Sequence, residues 1–154
     1  MIDEVDRKIL TILQKNARES NAQIARELGL APSGIHERIR KLEKRGVITG
    51  YTVNLDSAKL GVGVTAFLFV QSSDRPGNTT TAQQLVKIPE IEEVHHIAGD
   101  DCFLVKLRCK SNEDLGRLLR DEIGSIEAVM STRTSVVLNT TKETGLLPLT
   151  TKVK

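Results

Sequence analysis

Gly29 and Pro32 stand three positions apart, and no other feature restricts the folding of this chain as tightly. Glycine closes helices in the left-handed conformation, and proline is favoured at the first position of the next helix, where its missing N–H would have no partner. Two helices joined by so short a turn must cross at a steep angle, which is the helix-turn-helix arrangement. The flanking residues agree. Ser20 and Gln23 make a capping-box pattern at the start of the first helix, and Ile24, Ala25 and Leu28 form its inner face. The second helix runs from Pro32 to a stop at Gly46, and Ile35, Ile39 and Leu42 fall within about 60° of arc. Upstream, Val5, Ile9, Ile12 and Leu13 recur at helical spacing behind Asp3, Glu4 and Asp6, predicting a helix over Asp3–Asn16.

The polar side of the second helix of that pair raises the functional question. Residues 32–46 read PSGIHERIRKLEKRG, with Ser33, Glu37, Arg40 and Lys44 opposite the apolar stripe and His36 and Lys41 flanking them. Residues 1–60 carry eleven Lys/Arg against eight Asp/Glu, and residues 61–154 carry eleven against twelve, so the positive excess is N-terminal. A charged face can be merely solvated. After a helix-turn-helix bend it is instead placed to enter a DNA major groove. That reading puts Ser33, His36, Glu37 and Arg40 within reach of base edges, sends Arg38, Lys41, Lys44 and Arg45 toward phosphates, and adds Gln23 of the preceding helix to the candidate contacts. Beyond Gly46, Val47, Ile48, Tyr51, Val53 and Leu55 predict a strand or wing.

The run VDRKILTILQKNAR, followed by IARELGLAPSGIHERIRKLEKRGVITGYTVNLD, resembles the winged helix-turn-helix of the Lrp/AsnC (feast/famine) transcription regulators. One departure is Ala31, where the family usually has a capping serine, a loss of about 1 kcal/mol of local stability.

Gly61 and Gly63 precede VTAFLFV, an apolar run of strand length, and predict a boundary near Lys59–Gly63. Downstream the patterns predict a helix over Thr79–Lys87, strands over Ile91–Ile97 and Cys102–Cys109, a helix from a Ser111 cap to Ile123 and a strand over Ile126–Leu138. That order is ferredoxin-like (βαββαβ), so the expected fold class is α+β: a DNA-binding domain over 1–60, an effector and assembly domain over 61–140, and a polar tail over 141–154. Apolar residues alternating on both strand faces predict a homodimer packed sheet against sheet.

The same resemblance extends over this second block, so that it covers about Ile2–Leu138. It implies an amino-acid pocket between neighbouring dimers, built from the turn after Ile97 and threonines of the last strand, and assembly to tetramers or octamers. Gly99, Phe103, Thr132 and Thr134 match the family's pattern, but Cys102 stands where an aspartate is usual, leaving Asp100 and Asp101 to supply negative charge for an α-amino group. Without a ligand, GDD is simply a polar hairpin turn. A regulator or architectural protein with no small-molecule effector is the alternative.

Other classes fit less well. No cofactor or metal is expected: His95 and His96 are adjacent and point to opposite faces of a strand, and Cys102 and Cys109 lack metal-ligand spacing. Those cysteines, seven apart in one strand and on opposite faces, are expected to be reduced thiols. No nucleophile–base constellation or phosphate loop marks an enzyme. An RNA-recognition sheet needs exposed aromatics in a basic setting, whereas Phe67, Phe69 and Phe103 lie in apolar runs. A helix-turn-helix serving protein contacts alone is a further alternative. No stretch approaches the roughly 20 apolar residues of a membrane helix, and MIDEVDRK lacks a basic leader. A cytoplasmic protein is expected.

Overall fold

The computed structural model describes residues 2–75, 77–99 and 102–149. The chain divides into two compact units: one holds the residues up to Asn54 together with the segment from Lys142 onward, and the other is Leu55–Thr141. The division thus falls a few residues ahead of the Gly61/Gly63 pair. The C-terminal segment from Lys142 onward joins the first unit.

In that first unit, α1 (Glu4–Lys15), α2 (Asn21–Leu28) and α3 (Pro32–Lys44) surround a core of Ile9, Leu13, Ile24, Ala25 and Ile35. Gly29 ends α2 at φ 66°, the left-handed conformation its position called for. Ser20 accepts the Gln23 amide at 3.1 Å, but the reciprocal capping box belongs to α1. There the Asp6 amide donates to Asp3 Oδ1 at 2.8 Å and the Asp3 amide donates to Asp6 Oδ2 at 3.2 Å. α3 begins at Ala31 with no side-chain cap.

Of the strand or wing expected over residues 47–55, no strand is formed among the described residues, and the segment is an extended arm. A strand needs a neighbour to accept its ladder, and this head of helices offers none. Tyr51, Val53 and Leu55 are 52%, 72% and 70% exposed, and Tyr51 instead donates its hydroxyl to Glu43 Oε1 at 2.8 Å, holding the segment against the end of α3. The C-terminal segment is held against α1: the Leu147 amide donates to Gln14 Oε1 at 2.7 Å and Gln14 Nε2 donates to the Leu147 carbonyl at 3.3 Å.

The second unit is the expected ferredoxin-like layout: β1 (Val64–Ser72), α4 (Thr80–Leu85), β2 (Ile91–His96), β3 (Phe103–Cys109), α5 (Asn112–Arg117) and β4 (Val129–Val136). The sheet order is β2-β3-β1-β4, antiparallel throughout. Ala66, Leu68, Val70, Val105 and Leu107 turn one sheet face toward Leu85, Leu115, Leu118 and Ile123 of the helical layer. The single α-helix expected from Ser111 to Ile123 is α-helical only to Arg117. A π-helical turn, Leu118–Ile123, follows and ends where the Gly124 amide donates to the Leu119 carbonyl at 2.9 Å. A Cβ at Gly124 would lie 2.8 Å from the Arg120 carbonyl oxygen, so the wide turn closes onto a residue without one.

The second sheet face is less apolar than alternation suggested. Phe67, Phe69 and Leu104 form its middle, but the Arg133 guanidinium lies 4.1 Å above the Phe69 ring, and Glu92 pairs with Lys106 at 3.2 Å and Arg108 at 2.6 Å. The long polar side chains of β3 and β4 cover part of that face and leave Phe67 exposed.

The cysteines do not fall on opposite faces. Cys102 precedes the ladder in a bend, so strand alternation does not govern it, and its sulfur packs against the same core that buries Cys109. Both are free thiols, and burial raises the Cys109 pKa, keeping it protonated.

Candidate nucleic-acid interface and ligand turn

α3 owes its orientation to its two sides. Ile35 and Leu42 are buried, and they pull Ile39 against the core. Ser33, His36, Arg40, Lys41, Lys44 and Arg45 are exposed, as is Gln23 of α2, so the structure brings these candidates to the solvent side of one helix-turn-helix. His36 Nδ1 lies 3.4 Å from Asn21 Nδ2, which ties the start of α3 to the start of α2.

Several of the candidates are engaged with the protein itself, Arg38 and Glu37 most directly. Arg38 Nη1 donates to Asp3 Oδ2 at 2.6 Å and to Asp6 Oδ1 at 2.7 Å, so it is a strut to the capping box of α1. Hydrogen bonds from Arg38 to Asp3 and then Asp6 raise the guanidinium pKa, and the Asp6 amide, followed by Arg38, holds the Asp3 carboxyl below the usual carboxylate range. Glu37 is the second. Its carboxylate accepts from Arg40 Nε at 3.0 Å and Nη2 at 3.1 Å, with Lys41 Nζ 3.5 Å away, and the Arg40 hydrogen bond lowers its pKa. The sequence pattern gave no sign of the Arg38 strut, because its partners lie far along the chain. The Glu37–Arg40 pair was readable as an i, i+3 spacing.

The candidate ligand turn lies at one end of the sheet. Val70 of β1 pairs with Phe103 on one side and Thr132 on the other, so Cys102 and the threonines flank β1 about two strand spacings apart, near 10 Å. Thr132 is exposed and Thr134 half-buried, and Ile97 closes the turn by donating its amide to the Cys102 carbonyl at 3.0 Å. Gly99 holds φ 139°, which side chains disfavour. Asp100 and Asp101 lie outside the described residues. Cys102 does not stand in for a carboxylate: its Sγ accepts the Ser72 amide at 3.4 Å and lies 3.5 Å from the Ser72 carbonyl. A cleft of about 360 Å³ opens instead at the far end of β3, lined by Val62, Glu90, Cys109, Lys110, Asp121 and Glu122 among others. It is away from the turn and shares none of its residues.

His95 and His96 diverge as strand neighbours must: His95 Nε2 meets Glu93 at 3.0 Å, and His96 stacks on Phe103 with ring centroids 5.2 Å apart. No group of three or more metal-ligating side chains occurs among the described residues, and no helix among them is long and apolar enough to cross a membrane.

Residues 2–49 match the winged helix-turn-helix DNA-binding family and residues 65–147 the Lrp/AsnC ligand binding domain. The chain is 44% identical over 149 residues to the HTH-type transcriptional regulator FL11 of Pyrococcus horikoshii, covering 96% of this chain and 97% of that one. Its structure is similar to that of AsnC from Escherichia coli, with a TM-score of 0.88, 29% identity and coverage of 95% and 98%. It is similar too to a transcriptional regulator of Neisseria meningitidis in complex with L-methionine, with a TM-score of 0.91, 27% identity and 97% of each chain covered.

Proposed function

The chain belongs to the Lrp/AsnC family of transcription regulators, and from that we propose that it grips duplex DNA through paired α3 helices while residues 61–140 assemble the heads and hold an amino acid. The observation that carries this reading is the outward polar side of α3, with Ser33, His36, Arg40, Lys41 and Lys44 exposed over a buried Ile35–Leu42 seam. Residues 1–60 supply the DNA contacts. Two heads related by a two-fold axis place two such helices on half-sites about one duplex turn, or a multiple, apart. Pairing is favoured by what each unit leaves open, namely Phe67 on the sheet and the exposed Tyr51–Leu55 segment. The chain acts in the cytoplasm, as a regulator and not as an enzyme, and sedimentation at micromolar concentration should give a dimer or a larger even assembly.

The test is binding to defined and random duplexes across a salt series. Arg40→Ala should cost roughly 1 to 3 kcal/mol and relax preference at one position, whereas Lys44→Ala should weaken every sequence and lower the salt slope by about one. Identical behaviour of the two variants rules the assignment out. Footprinting of the DNA upstream of the chain's own coding sequence is the natural source of a specific site.

A second reading, regulation without a small-molecule effector, is favoured by one observation. Cys102 occupies the position of the usual acid and turns its sulfur to the Ser72 backbone, so it offers no charge to an α-amino group. The L-methionine complex of the N. meningitidis relative favours the effector reading. Calorimetric titration against the twenty amino acids decides between them: heat at one of them, lost in Thr132→Val, supports a site at the turn, and silence for all supports the second reading.

A further inference from the structure

Arg40 projects from the exposed side of α3 with 58% of its side chain open to solvent. Glu37, one turn earlier, meets its guanidinium side-on, taking Nε and Nη2 on its two oxygens. A guanidinium has five N–H donors in fixed directions. The Glu37 carboxylate takes two, on the Nε–Nη2 edge, which leaves both hydrogens of Nη1 and the second of Nη2. One hydrogen of Nη1 and the free one of Nη2 make up the end-on edge, whose spacing matches the O6 and N7 acceptors that guanine presents in the major groove.

The brace changes three things at once. It fixes a side chain that would otherwise lose several rotatable bonds on binding, so less ordering remains for the moment of recognition. It cancels part of the charge of Arg40, and of Lys41 3.5 Å away, which weakens attraction to phosphate in any sequence. It also leaves an acid on the groove-facing side that phosphates repel, so a pose in which Arg40 abandons Glu37 for the backbone is disfavoured. In water so exposed a pair contributes little to folding. Inside a groove that excludes water it strengthens.

We propose that Glu37 and Arg40 form a preassembled guanine reader, in which Arg40 contacts the base end-on and Glu37 is the positioning residue that sets its orientation and suppresses non-specific binding. The proposal rests on α3 entering the groove and names what it selects there: one guanine in each half-site.

The experiment uses the full-length chain. Sites are selected from a random duplex library, and affinities are then measured for the selected site, for single-base changes, for the same site carrying 7-deazaguanine, which lacks the N7 acceptor, and for random duplex. Wild type should lose about ten-fold or more on replacing one particular guanine in a half-site by 7-deazaguanine or by another base. Glu37→Gln should lose most of that discrimination while binding random duplex as well as wild type or better, with a salt slope steeper by about one. Arg40→Lys should lose the discrimination too, because an ammonium has no fork. Both variants should keep the wild-type melting temperature, so a folding defect is separated from a reading defect.

Wild-type discrimination retained in Glu37→Gln overturns the proposal, as does a selected site in which no guanine is sensitive to loss of N7. A cytosine preference that Glu37→Gln abolishes and Arg40→Lys preserves also overturns it, since Glu37 would then read a base itself. In each of these cases DNA binding by α3 stands. Failure of wild type to prefer any duplex over random sequence overturns both.

Discussion

Arg38 shows how a single side chain can look like one thing in the sequence and be another in the fold. Among five basic residues between Pro32 and Gly46 it reads as a phosphate contact. Its helical angle, however, places it beside the buried stripe, and its Nη1 bridges Asp3 and Asp6, thirty-five and thirty-two residues away in sequence. No local pattern encodes a pairing of that range, whereas the i, i+3 pair of Glu37 and Arg40 is written in the spacing. Arg38→Ala should therefore lower stability by about 1 kcal/mol, discounted for the open side of the pair, and leave the salt slope of DNA binding unchanged. Lys44→Ala should do the reverse, and thermal melting beside binding isotherms separates them. The same cluster fixes a pH dependence. The Asp3 carboxyl sits below its ordinary range chiefly through the Asp6 amide and then Arg38, so it binds its proton less readily folded than unfolded. Its contribution is complete above about pH 4 and is lost as the pH falls through the lower folded value. Asp3→Asn keeps a good N-cap but has no charge to titrate. Its melting temperature should fall less steeply than that of wild type on acidification below about pH 4, and parallel curves would remove Asp3 from the account.

At the scale of elements, what was legible was local. Ser20, Gly29, Pro32 and Ser111 each mark a helix end by chemistry contained within a few residues, and α2, α3 and α5 start or stop at them. The order of strands and helices along the second unit followed from the same reasoning, because hydrophobic runs and turns alternate in only one familiar sequence. Elements that depend on something distant were misread. Residues 47–55 alternate like a strand but have no ladder partner within their unit, and the helix after Ser111 widens into a π turn that its Leu spacing does not announce. Of the residues expected at a ligand turn, Gly99 and the threonines fall at one sheet end, but the turning of Cys102 into the core depends on Ser72, thirty residues away. α3 also carries a deficiency that can be repaired. Its N-cap, Ala31, has the extended conformation of a cap (φ −76°, ψ 140°) and no side chain to accept an amide. Ala31→Ser should add about 0.5 to 1 kcal/mol to the first unit with no change in the groove-facing side chains. A melting temperature equal to or below that of wild type would show that the first turn of α3 gains nothing from a cap.

For the whole molecule, the path of the chain has a consequence that composition and periodicity could not supply. The first unit is built from two stretches of sequence, up to Asn54 and again from Lys142, with Leu55–Thr141 inserted between them. The returning stretch is attached by main-chain hydrogen bonds: the amide and carbonyl of Leu147 both meet the Gln14 side-chain amide. Contacts to the backbone do not depend on which side chains the tail carries, so a polar segment gives no sequence signal for them. The magnitude is limited, because Leu146 and Leu147 are 49% and 69% exposed and bury little apolar surface. Two hydrogen bonds of that kind contribute on the order of 1 kcal/mol. Truncation after Thr141 should therefore leave the second unit untouched and speed amide exchange at the C-terminal end of α1 by a few-fold. Gln14→Ala in the full chain should reproduce that change, since it removes both bonds without shortening anything. If truncation loosens the second unit, or if Gln14→Ala leaves exchange in α1 at the wild-type rate, the returning segment is not held by Gln14.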